Sequence, residues 1–326
     1  MRNVQELEEL YHSKLLPQLS SLEELRKKLM FRYLIGILLL IIAFGSFFLI
    51  GNGVGSGSEE ITFFLLIVFA IGGIIVLVTS GKIKRNYRTQ YKRNVVTEIV
   101  KLINPDWRYD ANGRISSSEY NQSDLFRAHY DRFNGDDLIS GVMDKTDFKC
   151  SELHTEYKKV TTDSKGRRQE HWVTIFKGLF FHADFNKEFV GQTYVSPDFA
   201  EKFFGKFGQK FQKFSEKGDL IKLENPEFER EFKVTGSDQV EARYILTPVI
   251  MEALLKIKKQ YACPVHFSFI GSRVYCALSI SKDLFEPRIF SSGLKFKDVE
   301  NMYHLFMVNQ TIIQELNLNT RIWTKD

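Results

Sequence analysis

The sequence is poor in cysteine, and none of its three cysteines belongs to a Cys-x-x-Cys pair. Cys150, Cys263 and Cys276 are widely spaced and odd in number. This distribution predicts neither a metal site nor a disulfide framework, and it fits a reducing compartment. The Lys-Ser/Thr pair of a phosphate-binding loop is also missing from the glycine-rich stretch Gly51–Glu60. That stretch therefore predicts a flexible turn, and no cofactor is predicted.

An excess of positive charge is missing from most of the chain. Residues 1–93 contain 12 Lys and Arg against 7 Asp and Glu, whereas residues 94–326 contain 33 of each. Nucleic-acid binding depends on basic side chains that contact phosphates. Because the larger part of the chain has no such excess, no nucleic-acid partner is predicted.

Charged residues are absent from two apolar runs, Tyr33–Ile50 and Ile61–Val78. Each run has about 18 residues, which is close to the length that crosses a hydrocarbon core. The first run follows 32 residues rich in charge, which argues against a cleavable signal peptide. The sequence therefore predicts a two-helix transmembrane hairpin that anchors the chain in a lipid bilayer.

Basic residues flank both runs and are missing between them. Four Lys or Arg lie within residues 26–32 and six within residues 82–93, whereas the connecting loop has only Glu59 and Glu60. Since cytoplasmic flanks have the excess of Lys and Arg, both termini are predicted to face the cytosol. The predicted protein is therefore multi-pass.

The hairpin divides the chain into six predicted segments. The first, residues 1–32, is a cytosolic amphipathic helical segment in which Pro17 interrupts the helix and Ser20 with Glu23 forms a capping box. Its apolar stripe could pair with a partner helix or pack on the chain itself. The other segments are a transmembrane helix at 33–50, an extracytoplasmic turn at 51–60, a transmembrane helix at 61–80, a basic juxtamembrane helix and linker at 81–111, and a cytosolic α+β domain at 112–326.

Two antiparallel hairpins are predicted in the last segment. Cys150–Thr162 and Gln169–Phe185 form the first, and the two-residue turn Gly271-Ser272 centres the second. Counting outward from that turn puts six apolar residues on one buried face. Hairpins mixed with helices predict an α+β fold rather than a parallel, doubly wound sheet. The predicted pairs are Phe269 with Val274, Phe267 with Cys276, and Val265 with Leu278.

Local patterns predict further elements in this segment. The polar residues 112–123 predict a loop or a domain boundary, and Phe228–Val234 predicts a strand. Thr247 followed by Pro248 predicts a capped helix start. A final helix is predicted from about Asp298 to Asn317.

His182 and Asp184 are weak candidates for catalysis, because they share the less apolar face of one predicted strand. A His-Asp pair can act as a base and its orienting group. No nucleophile is placed beside the pair by the sequence, and a structural or surface role is the alternative.

A helix rich in phenylalanine and lysine is the stronger candidate for a functional surface. Lys202, Lys206 and Lys210 form a stripe beside Phe203 and Phe207. Such a pattern fits contact with a membrane surface or with a partner. In the alternative, the phenylalanines cover the sheet and the lysines face water.

Four stretches of the chain resemble one known family. Together with the two apolar runs, they are similar to a bacterial membrane-protein family classed as domain of unknown function 3137. The resemblance implies a bacterial inner-membrane protein without an assigned activity. It also implies gene neighbours of the LemA type, which suggests such a membrane protein as a partner. The stretches are FKGLFFHADF (Phe176–Phe185), LENPEFEREF (Leu223–Phe232), DQVEARYILTP (Asp238–Pro248) and LNLNTRIW (Leu316–Trp323).

Three functions remain open from the sequence. The leading hypothesis is a non-enzymatic, membrane-tethered interaction or scaffold protein. Its predicted partners are the lipid bilayer and a second protein, which is either a membrane protein or associated with the membrane. The alternatives are a lipid- or small-ligand-binding domain at the membrane surface and an enzyme of unrecognised type. An apolar cavity would favour the second hypothesis, and a polar cleft would favour the third.

Overall fold

The computed structural model describes residues 4–51, 59–162, 166–198, 218–293 and 295–316. The chain divides into two compact units, one formed by residues 1–102 and 285–302 and the other by residues 103–284 and 303–326. Two long apolar helices belong to the first unit and an antiparallel sheet to the second. The α+β class with antiparallel hairpins is therefore confirmed.

The first unit contains two helical stretches of 44 residues, Gln5–Phe48 and Glu60–Ile103. At 1.5 Å per residue each is about 66 Å long, roughly twice the thickness of a hydrocarbon core. The stretches are built from α1 (Val4–Leu10), a π-helical turn (Tyr11–Leu15), α2 (Leu16–Gly51), α3 (Glu59–Tyr91), a second π-helical turn (Lys92–Val96) and α4 (Thr97–Ile103).

The two halves of this helix pair differ in burial. In the apolar halves only 17% and 6% of the residues are buried. In the polar halves, side chains such as Leu15, Leu29, Val95 and Ile99 are fully buried. The polar halves thus have an ordinary protein core, whereas the apolar halves present their side chains outward. The outward apolar side chains include Phe31, Leu34, Ile37, Leu38, Ile41, Phe44, Phe47, Phe48, Ile61, Phe63, Phe64, Val68, Ile71, Ile74, Ile75 and Val78.

Two glycines let α2 and α3 approach closely. A Cβ atom on Gly36 would lie 2.7 Å from a methyl carbon of Leu77, and one on Gly73 would lie 3.0 Å from the Gly36 carbonyl oxygen. Small residues at a helix crossing allow close backbone packing where apolar side chains face outward. Near the polar end of the crossing, Arg32 donates to the Thr79 hydroxyl at 2.6 Å.

Pro17 does not interrupt the helix, and the predicted capping box is wrong. Ser20 donates its hydroxyl to the Leu16 carbonyl at 2.8 Å, and Glu23 accepts hydrogen bonds from Arg26. A proline lacks an N–H group, and its ring crowds the carbonyl four residues earlier. The π-helical turn Tyr11–Leu15 contains that carbonyl, and its wider coil accommodates the ring.

The second unit is built on an antiparallel sheet, which has nine strands in the described part of the chain. Their order is β1-β2-β3-β4-β9-β8-β5-β7-β6. The strands are β1 (Arg108–Asp110), β2 (Arg132–Met143), β3 (Thr146–Thr162), β4 (Arg168–Asp184), β5 (Gln192–Pro197), β6 (Asp219–Leu220), β7 (Phe232–Gly236), β8 (Val265–Ile270) and β9 (Arg273–Ser279). The helices are α5 (Ser117–Gln122), α6 (Pro226–Glu231), α7 (Gln239–Ile245), α8 (Pro248–Tyr261) and α9 (Phe296–Glu315), of which α9 begins in the first unit.

The predicted hairpin around Gly271 is confirmed in its register. All three predicted apolar pairs face each other across β8 and β9, and all six side chains are fully buried. The opposite face is buried as well, because Tyr275 and Ala277 pack against Tyr120 of α5 and Phe180 of β4. The centre of the sheet is therefore covered on both faces.

Two local predictions are right only in part. Residues 112–116 are a loop as predicted but residues 117–122 are helical, and Phe232–Val234 lie in β7 as predicted but residues 228–231 are helical. Helix capping explains both differences. The predicted loop at 112–123 contains α5, which Ser116 and Glu119 stabilise through reciprocal capping hydrogen bonds. Phe228 lies in α6 rather than in a strand, because the Asn225 side chain caps that helix and a proline follows it. The cap predicted at Thr247 is confirmed.

Phe269→Ala is expected to destabilise the sheet unit by about 3–5 kcal/mol, through lost burial and the cavity left behind. Phe269 is fully buried and packs edge-on against Phe185 and Phe189. Denaturant unfolding of the full chain in detergent measures the loss. The matched control Val240→Ala, at an exposed site of the same unit, should change stability by less than about 0.5 kcal/mol. Equal stability of the two variants would contradict the core assignment.

Candidate functional site

The predicted surface formed by Lys202, Phe203, Lys206, Phe207 and Lys210 lies outside the described residues. Contact of this segment with a membrane surface or a partner stays a prediction.

His182 lies on β4 and is almost completely buried, with 3% of its surface exposed. Arg273, on the neighbouring strand β9, donates from Nε to His182 Nδ1 at 3.0 Å. On the other side of the ring, Nε2 lies 3.5 Å from Oε1 of Glu119 in α5. A neutral imidazole has one acceptor and one donor nitrogen, so the contact with Arg273 assigns the proton to Nε2.

Opposite charges alternate around this ring. Glu119 accepts a hydrogen bond from Lys149 Nζ at 2.6 Å and another from the Ser116 backbone N–H at 2.9 Å. Arg273 Nη2 lies 2.6 Å from Asp147 Oδ2. We call these five side chains the His182 network: His182, Glu119, Lys149, Arg273 and Asp147. Two carboxylates face two cations in it, so the network has no net charge while the ring is neutral.

The surroundings hold the ring neutral and the carboxylate ionised. Burial lowers the pKa of His182 to about 4, and the positive charge of Arg273 acts in the same direction. Burial alone would raise the pKa of Glu119, but hydrogen bonds from Lys149 and Ser116 bring it to about 2. At neutral pH, Glu119 is therefore a stable anion beside an uncharged imidazole.

This geometry favours a structural role for His182. A general base needs a free lone pair, and the acceptor nitrogen of His182 is already occupied by Arg273. Asp184 follows on the same face of β4 and lies opposite Arg273 in the strand register. The carboxylates that act on the pKa of His182 are Glu119 and Asp147.

The partners of His182 come from distant parts of the chain, so sequence analysis missed them. Arg273 is 91 residues away, and only the fold brings it to the ring. For Glu119 a local signal existed, because Ser116 and Glu119 have the spacing of a capping box.

The surroundings of the three cysteines favour the protonated thiol. Burial raises the pKa of the Cys150 thiol to about 12 and that of Cys263 to about 11. Cys276 is also buried, and its pKa is raised for the same reason. Since the thiolate is the reactive form, these environments disfavour nucleophilic chemistry at the three thiols. Within the described part of the sheet unit, no three metal-ligating side chains converge.

A two-stranded arm extends beyond the body of the sheet. Strand β2 pairs with β3 only as far as Glu156, and β9 pairs with β4 only from Gly178 onward. Beyond these points β3 and β4 continue to pair with each other, up to Thr162 opposite Arg168. We call residues Lys158–Thr162 and Arg168–Trp172 the ribbon.

Every residue of the ribbon is exposed, and the apolar ones among them include Val160 and Trp172. The Trp172 ring is held by Arg132, whose guanidinium carbon lies 3.3 Å from the ring centroid. Lys158, Lys159 and Arg168 outnumber Glu170, so the ribbon is basic. Among the described residues, no strand pairs with the outer edge of either ribbon strand. Exposed strand edges offer backbone N–H and C=O groups to another extended chain.

His182→Asn is expected to remove a pH dependence of stability. The folded pKa of His182 is about 4, below the ordinary value of 6.5. The stability that comes from keeping the ring neutral is therefore fully present above pH 6.5 and is lost as the pH falls toward 4. Asn can still accept from Arg273 but does not titrate, so the loss on acidification should shrink by roughly 3 kcal/mol.

Unfolding measured across this pH range checks the effect. The matched control is His129→Asn, because the His129 side chain is 89% exposed. This variant should keep the pH dependence of the parent chain. If His182→Asn also keeps this pH dependence, the buried neutral ring of His182 does not cause it.

One comparison with known proteins gives a match. A family model described as "Protein of unknown function (DUF3137)" matches residues 174–318, from within β4 to beyond α9. Three of the four stretches on which the resemblance rests lie within these limits, and the fourth begins within them. No curated protein and no solved structure matches the chain. Over residues 174–318 this chain resembles the DUF3137 family of unknown function.

Proposed function

We propose that this chain is a membrane-tethered interaction protein. The α2–α3 hairpin crosses a bilayer. In the cytosol, the sheet unit binds a second protein, which is either a membrane protein or a protein associated with the membrane. The observation that carries the binding part is the ribbon, an exposed arm along whose outer edges no described strand pairs. On the β3 edge the Lys158 N–H donates to Asp131 Oδ2, so the free part of that edge begins beyond Lys158.

The outward apolar side chains of the helix pair support the anchor. A core helix of a soluble protein is mostly buried, whereas the apolar windows here are 17% and 6% buried. Contiguous exposed apolar surface on this scale is rare in soluble monomers, because each such side chain in water loses the stabilisation that an apolar surrounding gives. A bilayer supplies that surrounding along a length of about 30 Å.

The flanking charges support the orientation. The basic residues lie at the polar ends of both helices, and the antiparallel pair brings these ends to the same side. We propose that this side is the cytosol and, with the family resemblance, that the membrane is a bacterial inner membrane.

The ribbon supports a partner that adds an extended strand. Backbone hydrogen bonds to an exposed edge give affinity, and neighbouring side chains give specificity. The part of the Trp172 ring that Arg132 does not cover offers an apolar contact, and the basic side chains favour an acidic segment. The LemA-type protein suggested by the resemblance is the first candidate for this partner.

The occupied lone pair of His182 and the buried thiols argue against the enzyme hypothesis. The lipid-binding alternative depends on residues 199–211, which lie outside the described ranges. Neither alternative has an observation that favours it over the interaction protein.

Reporter fusions test the orientation. A reporter that is active only in the cytosol should be active when fused after Asp326 and silent when inserted within Gly51–Ser58, because the hairpin puts its turn across the membrane. The reverse pattern would contradict the proposed orientation.

Shortening the ribbon tests the binding role. Lys159 and His171 face each other in the register with their backbone groups directed toward one another, because the Glu156 carbonyl and the Lys158 N–H point to the outer edge. Replacing residues 160–170 with Asn-Gly therefore closes the hairpin with a two-residue turn. Affinity purification of the full chain in mild detergent, with quantitative mass spectrometry of proteins and lipids, compares this variant with the parent. A partner should be depleted about tenfold in the shortened chain, as expected for a loss of about 1.4 kcal/mol.

The control for this experiment is Val190→Ser, at another exposed site of the same unit. It should retain the partner. Both variants should unfold at the same temperature as the parent, because those of the changed residues that the structure describes are exposed. Equal recovery of every co-purified protein from the parent and the shortened chain would contradict the role of the ribbon.

A further inference from the structure

The segment Phe285–Gly293 belongs to the first unit together with the helix hairpin, although it is distant in sequence. Arg26, which is buried, donates from Nη1 to the Ile289 carbonyl at 2.6 Å while Glu23 holds the rest of its guanidinium. The Tyr87 hydroxyl donates to the Arg288 carbonyl at 3.3 Å. One residue from each helix therefore fixes the backbone of this segment.

Ion pairs add to this attachment. Glu286 lies 2.7 Å from Arg88 Nη2 and 3.1 Å from Lys92 Nζ, and the Lys92 side chain is buried. A buried ammonium needs such a partner, because an unpaired charge away from water is strongly unfavourable. The start of the segment is therefore held at the polar halves of α3 and its π-helical turn.

The position of Phe290 follows from these contacts. Its side chain is 65% exposed, and its ring centroid lies 6.1 Å from that of Tyr33. Tyr33 is the first residue of the uncharged run in α2, and the exposed apolar side chains of Phe31 and Leu34 flank it. Phe290 thus extends the outward apolar surface at the level where charged residues give way to apolar ones.

We propose that the segment 285–293 is a membrane-contact loop whose Phe290 side chain enters the bilayer at the boundary between headgroups and acyl chains. This inference rests on the proposed membrane anchor and adds a second, extrahelical contact to it. Aromatic residues favour this boundary, and Tyr33 beside Phe290 fits the aromatic belt of a membrane protein. The exposed side chain of Arg288 lies two residues away and suits the headgroup layer.

Depth-dependent quenching of tryptophan fluorescence tests the proposal on the full chain in lipid nanodiscs. Phe290→Trp is compared in lipids brominated near the headgroup end and near the methyl end of the acyl chains, and the signal of the parent chain is subtracted. The introduced tryptophan should lose about half of its intensity with the shallow bromines and less with the deep ones, as expected for interfacial insertion.

Two matched variants show whether a negative result contradicts the membrane-contact loop alone or the membrane anchor as well. Phe44→Trp, at a 70% exposed position within the apolar run, should be quenched more by the deep bromines. Glu8→Trp lies on the same helical stretch, about 38 Å from Tyr33 along the axis, and should not be quenched.

If Phe44→Trp is quenched but Phe290→Trp is not, the anchor stands and the membrane-contact loop is refuted. A blue-shifted Phe290→Trp emission without bromine quenching would also refute it, because a protein surface rather than lipid would then cover the residue. If Phe44→Trp is not quenched, the anchor itself fails, and the loop proposal fails with it.

Discussion

The outward apolar surface of the α2–α3 hairpin is the constraint on which the rest of the account depends. Leaving these side chains in water would cost on the order of tens of kcal/mol, because each large apolar residue loses about 1.5–3 kcal/mol of transfer free energy. The helices pack against each other through Gly36 and Gly73, so most of their apolar side chains face away from the partner helix. We propose that a surrounding apolar phase removes this cost, and that the charged residues at one end of both helices limit its extent.

The burial of side chains changes along the length of the same two helices. Beyond the apolar halves they form a conventional core with buried leucines, valines and tyrosines, and the segment Phe285–Met302 belongs to that part of the chain. Arg26 and Lys92 are buried there with hydrogen-bonded or charged partners. A buried-core bundle and an outward-facing apolar hairpin are thus built from one continuous helix pair, and burial rather than helix propensity distinguishes them.

The sequence predicted those features that depend on local or periodic patterns. The register around Gly271 followed from alternation about a two-residue turn, and the helix start at Thr247 followed from its cap. Capping-box spacing alone does not identify the start of a helix. Ser20 and Glu23 have capping-box spacing but lie inside a continuous helix, whereas Ser116 and Glu119 form a true cap in a stretch that reads as a polar loop.

Local sequence patterns do not predict contacts between residues that are far apart in the chain. The His182–Arg273 contact and the attachment of Phe285–Met302 to the hairpin join residues that are far apart in the chain, and no local signal encodes them. The ribbon depends on where β2 and β9 stop pairing, which is a property of the whole sheet.

We propose that the hairpin lies in lipid over its apolar half only. Nitroxide labels at successive positions from Arg26 to Phe48 of the full chain in nanodiscs test it, with collision rates measured for oxygen and for a water-soluble nickel complex. We expect the oxygen-to-nickel ratio to be low before Arg32, to rise beyond Tyr33 and to be highest near Ile41. Ready access of the nickel complex to the exposed positions Ile37, Ile41 and Phe44 would contradict it.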